Sequence, residues 1–95
     1  MNTKLLFARL LTENIAIVDV RTNDEYSQIA IPNTLHIPLD ELEARISELK
    51  SFDKVYFFCK AGKRAMIAQE IGIAKGLVCE GLQQGVFEIA EAVVF

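Results

Sequence analysis

The chain has no tryptophan, one histidine and two cysteines in its 95 residues. Cys59 and Cys79 are separated by nineteen residues, which fits neither a CxxC redox pair nor the spacing of zinc ligands. With one histidine besides, no metal site can be assembled, so both thiols are expected to be reduced, with no metal and no cofactor. Long apolar runs are missing too. Nothing approaches the ~18 residues of a membrane span, and Leu5-Leu6-Phe7-Ala8 is too short for the roughly 7 to 15 residues of a signal-peptide core. A cytoplasmic protein without membrane association is therefore expected. Nor is there an excess of positive charge: the net charge of −3 argues against nucleic acid as a partner, because nonspecific binding rests on a basic face.

What is present is an ordinary globular composition, 52% hydrophobic and 24% charged. A chain of this length buries about 60 to 65% of its unfolded surface in one core, so residues 1–95 are expected to form a single domain. Its organising stretch is Val55-Tyr56-Phe57-Phe58-Cys59-Lys60-Ala61-Gly62-Lys63-Arg64-Ala65. The first four residues are bulky and apolar, as suits a central parallel strand covered on both faces. From Arg64 through Ala74 the sequence favours helix, and Gly76 is placed to end it in a left-handed cap. Cys59 thus falls where a strand turns into a helix.

At such a turn the unpaired N–H groups of the first helical turn and the helix dipole make an anion site. Lys60, Lys63 and Arg64 add positive charge close by, and Gly62 gives the backbone freedom. These surroundings favour the thiolate, so Cys59 is the candidate nucleophile and should be open to a donor.

In this loop and three other segments the chain resembles the rhodanese-like sulfurtransferases. Ile17-Val18-Asp19-Val20-Arg21 with Glu25-Tyr26 is similar to that family's first landmark, and Ile31-Pro32-Asn33 through His36-Ile37-Pro38-Leu39-Asp40-Glu41-Leu42 to its second. Cys59 through Arg64 is the third, and Glu80-Gly81 through Gly85 a degraded fourth. There are departures: Ile29-Ala30 stands where the family commonly has Gly-His, Ala65 where it commonly has serine, and Leu82-Gln83-Gln84 interrupts a double glycine. The usual C-terminal tryptophan is absent. These differences bear on substrate preference more than on fold.

The resemblance implies an α/β protein of three layers, α/β/α, around a central parallel sheet of four to five strands; four are expected here, because little chain precedes the first helix. That helix is read over residues 3–11, with Thr3 as cap and Leu6, Leu10 and Leu11 on one face. Strands are expected over residues 15–20, 35–37 and 77–79. Short helices are expected over residues 23–28 and from Asp40, the latter with Glu43 completing a capping box and Leu42, Ile46 and Leu49 buried. A final helix is expected over residues 86–92. Val93-Val94-Phe95 either packs down or forms a self-contact.

Asp19, Arg21 and Glu25 form either a structural cluster at the rim or, for Asp19 and Arg21, a substrate contact. His36 is either a rim or core residue or a base. Cys79 is either a small hydrophobe in a strand or a thiol that resolves Cys59. By resemblance Cys59 is catalytic, and the main-chain N–H groups of Lys60, Ala61, Gly62, Lys63 and Arg64 bind substrate. The implied partners are a small anionic sulfur donor such as thiosulfate and a thiophilic acceptor such as cyanide, a thiol or a protein. Two alternatives remain: a persulfide carrier or interaction module loaded by a partner, and a phosphatase or arsenate reductase. The latter enzymes carry five residues between cysteine and arginine, whereas four lie between Cys59 and Arg64.

Overall fold

In a computed structural model of the chain, residues 2–93 are described, so Val94 and Phe95 lie outside the description. Four strands, β1 (Ile15–Asp19), β2 (Leu35–His36), β3 (Lys54–Phe58) and β4 (Cys79–Gly81), pair in the order β2-β1-β3-β4. All the pairings are parallel. Parallel neighbours need crossovers: α2 (Asn23–Gln28) lies between β1 and β2 and α3 (Lys63–Ala74) between β3 and β4, while α1 (Thr3–Ala8) precedes the four strands and α4 (Val86–Val93) follows them.

Alternation along the strands divides the core in two. Val18, Val55, Phe57 and Cys59 share one face with Leu42, Ile46 and Leu49 and with Ala65 and Ala68 of α3. Ile15, Ile17, Tyr56 and Phe58 share the other with Leu6 of α1 and Val86 and Ile89 of α4. Phe57 and Phe58 are thus fully buried on opposite faces, each contributing about 1.5–3 kcal/mol of apolar burial. This is the α/β/α arrangement expected, with four strands.

The helix expected from Asp40 is instead two 3₁₀ segments, Leu39–Glu41 and Glu43–Leu49, with no side-chain cap on either. Leu42, Ile46 and Leu49 are buried all the same. Anchors spaced by four and three residues can be seated by either helix type, so the apolar pattern alone does not choose between them.

The last strand begins two residues later than residues 77–79. Gly76 has φ of 88° and its N–H donates to Ile73, while Leu77 N–H donates to Gly72 O at 2.9 Å. This is a Schellman closure. It takes up Leu77, leaves Val78 65% exposed and starts the pairing at Cys79 opposite Val55.

The first helix is capped by Asn2, not Thr3, and tightens to a 3₁₀ turn over Arg9–Leu11. Leu6 is buried, but Leu11 is 87% exposed, because five residues of helix turn it well away from Leu6.

Candidate active site

The strand order reverses between β1 and β3: β1 leads outward to β2 and β3 outward to β4. Ligand sites in open α/β sheets form at the carboxyl ends of the strands at such a switch point. There Asp19 lies opposite Phe58, and Cys59 follows directly.

Cys59 turns inward on the face that carries α3. Its Sγ accepts hydrogen bonds from Gly62 N–H at 3.1 Å and Ala65 N–H at 3.4 Å. Gly62 is the N-cap of α3 with φ of 95°, a left-handed conformation that glycine takes without the steric cost borne by other residues. The cap's own amide and that of Ala65 in the first turn are thereby directed at the sulfur. Of the five expected loop donors, Gly62 reaches Sγ. The second donor, Ala65, lies one residue beyond that set, where the strand-to-helix geometry had already put a first-turn amide.

The thiol is less open than expected. Cys59 is 1% exposed, since its sulfur points down at those amides and not out between them. Ala61, Lys60 and Lys63 are exposed around it, and neither lysine side chain has an ion-pair partner among the described residues.

Arg64 is placed differently from the free cation expected. Its Nη1 and Nη2 donate to Glu25 at 2.6 and 2.9 Å, a two-point ion pair joining α3 to α2. It also lines a cleft of about 370 Å³ with Val20, Thr22, Pro38, Leu39 and Asp40, a cleft that Cys59 does not border.

Glu25 completes a capping box with Thr22, the pattern sought in the sequence at Asp40 and Glu43. Above all the Arg64 guanidinium, aided by Thr22, holds its carboxyl at about 2, below the ordinary 4.5. A carboxylate depressed in the folded state stabilises above its unfolded value and loses that contribution as pH falls through its folded one. The native protein is therefore expected to lose about 1 kcal/mol between pH 4.5 and 2, after allowance for the pair's partial exposure. Urea unfolding across that range checks this, with a flatter profile expected for Glu25→Gln.

Asp19 and Arg21 behave as the structural cluster. Arg21 Nη2 donates to Asp19 at 2.7 Å and Nε to both carboxylate oxygens at 3.0 Å, in a buried pair. Arg21 also donates to the carbonyl oxygens of Glu25 and Ile29, fastening α2 to the end of β1. His36 is at the rim: its Nε2 is 2.8 Å from Arg21 O, and its ring stacks on Tyr26 at 4.1 Å.

Cys79 does not meet Cys59. It pairs with Val55, four residues before Cys59, which at ~3.3 Å per residue offsets the two Cα positions by about 13 Å along the strand direction. A disulfide needs Cα atoms within roughly 7 Å. Burial pushes the Cys79 thiol up.

Gly81 and Gly85 gain a meaning that the broken pattern concealed. A Cβ on Gly81 would collide with Ala65 O, and one on Gly85 with Lys60 O. The chain between them packs on the sulfur loop, and Val86 N–H donates to Cys59 O at 2.9 Å.

The family model described as "Rhodanese-like domain" matches residues 3–91. A putative sulfur carrier protein of Bacillus subtilis, YrkF, is 43% identical over 56 residues, covering 59% of this chain and 30% of that protein. A sulfurtransferase of Allochromatium vinosum is 35% identical over 54 residues, 57% of this chain and 50% of its own. The chain thus spans half or less of the length of these two relatives. Among solved structures, a rhodanese-related protein of Thermoplasma volcanium aligns with a TM-score of 0.80 at 26% identity, over 98% of this chain and 92% of that one.

Proposed function

The chain belongs to the rhodanese-like domain family, and we propose that it is a sulfurtransferase in which Cys59 carries sulfur from a small anionic donor, such as thiosulfate, to a thiophilic acceptor, such as cyanide or a thiol. The observation that carries this reading is the pair of N–H groups, from Gly62 and Ala65, directed at the cysteine sulfur. In the first step the Cys59 thiolate attacks the outer sulfur of thiosulfate. A new S–S bond forms, the donor's S–S bond breaks, and sulfite leaves with the electron pair. The resulting persulfide is an anion, held by the amides that held the thiolate. Cyanide then attacks the outer sulfur, thiocyanate departs and the thiolate returns.

This is two-step covalent catalysis with ping-pong kinetics. No enzyme base is needed, which suits a histidine already engaged with Arg21 and Tyr26. Exposed Lys60 and Lys63 draw in the anion, while Ala61 and Gly62 shape the loop around it and Arg64 braces the loop from behind. A cytoplasmic setting, where thiols are kept reduced, suits the mechanism. A phosphatase has the least support, because Arg64 is committed to Glu25 and the loop is one residue short.

The carrier alternative is favoured by one observation, the 43% identity over 56 residues with the putative sulfur carrier protein of Bacillus subtilis. Steady-state thiocyanate formation from thiosulfate and cyanide separates the two. Parallel double-reciprocal lines are expected. No thiocyanate from a protein that a cysteine desulfurase loads readily with persulfide would replace the enzyme by the carrier.

A further inference from the structure

Glu25 is the meeting point of the elements that flank the sulfur loop. Its Oε1 accepts from Arg64 Nη1 at 2.6 Å, Thr22 N–H at 3.0 Å and Thr22 Oγ1 at 3.1 Å, while Oε2 accepts Arg64 Nη2 at 2.9 Å. Thr22 therefore fixes the carboxylate from one side and Arg64 closes on it from the other. The helix that carries Glu25 is itself fastened: Arg21, paired with buried Asp19, donates to the carbonyl oxygens of Glu25 and Ile29. The anchor offered to Arg64 is thus tied to the end of β1, in the middle of the sheet.

Arg64 is the second residue of α3, and the next residue, Ala65, supplies the N–H that lies 3.4 Å from Cys59 Sγ. A planar guanidinium held at two points has little rotational freedom, so the bracing passes to the adjoining backbone. Without Glu25, Arg64 would be a flexible cation at the edge of an anion site.

We propose that Glu25 is a positioning residue for sulfur transfer: by gripping Arg64 it sets the first turn of α3 so that Ala65 N–H meets Cys59 Sγ, and it leaves recruitment of the anionic donor to Lys60 and Lys63. The proposal rests on Cys59 as the sulfur acceptor, but its test does not need sulfur to move.

The test is the pH dependence of Cys59 alkylation by iodoacetamide, quantified on the Cys59 peptide, in the wild-type chain, Glu25→Gln and Glu25→Ala. Thermal unfolding of the same samples establishes which are folded at the assay temperature. The midpoint of the rate–pH curve reads how well the thiolate is held, independently of how easily the reagent enters. Field and positioning act with opposite signs here. Removing a nearby negative charge should by itself lower the midpoint, whereas losing an amide donor to the sulfur raises it.

The expected result is a rise of roughly half to one pH unit in Glu25→Gln, and at least as large a rise in Glu25→Ala. A midpoint that is unchanged or lower in folded Glu25→Gln, whatever its melting temperature, would reduce the pair to a structural tie and overturn the proposal. Should Glu25→Ala fail to fold, Glu25→Gln decides alone. A wild-type chain that takes up no sulfur would remove the proposed function and leave this comparison readable.

Discussion

Cys59→Ser is expected to bring thiosulfate:cyanide turnover down to the level of buffer, a loss of at least about a thousandfold. The hydroxyl that replaces the thiol is not ionised at neutral pH and cannot carry a transferable sulfur, so neither half of the cycle remains. The fold should survive, because an Oγ can accept from Gly62 N–H and Ala65 N–H in place of Sγ. Cys79→Ser should turn over normally: that thiol pairs alongside Val55, four residues back on β3 from Cys59. Thiocyanate production by folded Cys59→Ser would show that another group accepts the sulfur.

The second large effect is on stability. Arg21→Met leaves Asp19 fully buried without its guanidinium partner. An uncompensated buried carboxylate costs about 3–5 kcal/mol, whereas replacing both charges by apolar groups costs far less and is sometimes stabilising. A chain of 95 residues has a total of roughly 5–14 kcal/mol to lose, so Arg21→Met should unfold at a much lower urea concentration. The double variant Arg21→Met with Asp19→Leu is expected to recover part of the loss. Equal midpoints for Arg21→Met and the wild-type chain would contradict this account of the pair.

Much of this architecture was legible in the sequence because it rests on short, uniform signals. Val55 through Phe58 suited a strand covered on both faces, and α2 begins and ends where its residues said, at Asn23 and Gln28. The failures have physical causes of the same locality. Leu77 looked like strand, but Gly76 turned it back onto α3. Glu43 looked like a capping partner three residues after Asp40, yet the segment after Pro38 is 3₁₀ and the working box is Thr22 with Glu25.

At the site, Cys59 and Gly62 were readable because residue type and position both point to them. The partner of Arg64 was not: Glu25 lies 39 residues away in sequence, and only the tertiary fold brings the two together. Burial of the thiol was likewise invisible, since it depends on which way a strand-end side chain turns. Gly81 and Gly85 left a trace, two glycines bracketing a loop, but the atoms they make room for belong to Ala65 and Lys60.

The proposed sulfur transfer requires Cys59 to become a persulfide in the normal course of the reaction. It is tested most directly by the intact mass of the protein after incubation with thiosulfate and no acceptor, followed by peptide mapping. A gain of one sulfur atom is expected, located on the peptide that contains Cys59 and removed by cyanide. An unmodified mass in a preparation that is forming thiocyanate, or sulfur found on the Cys79 peptide, would contradict it.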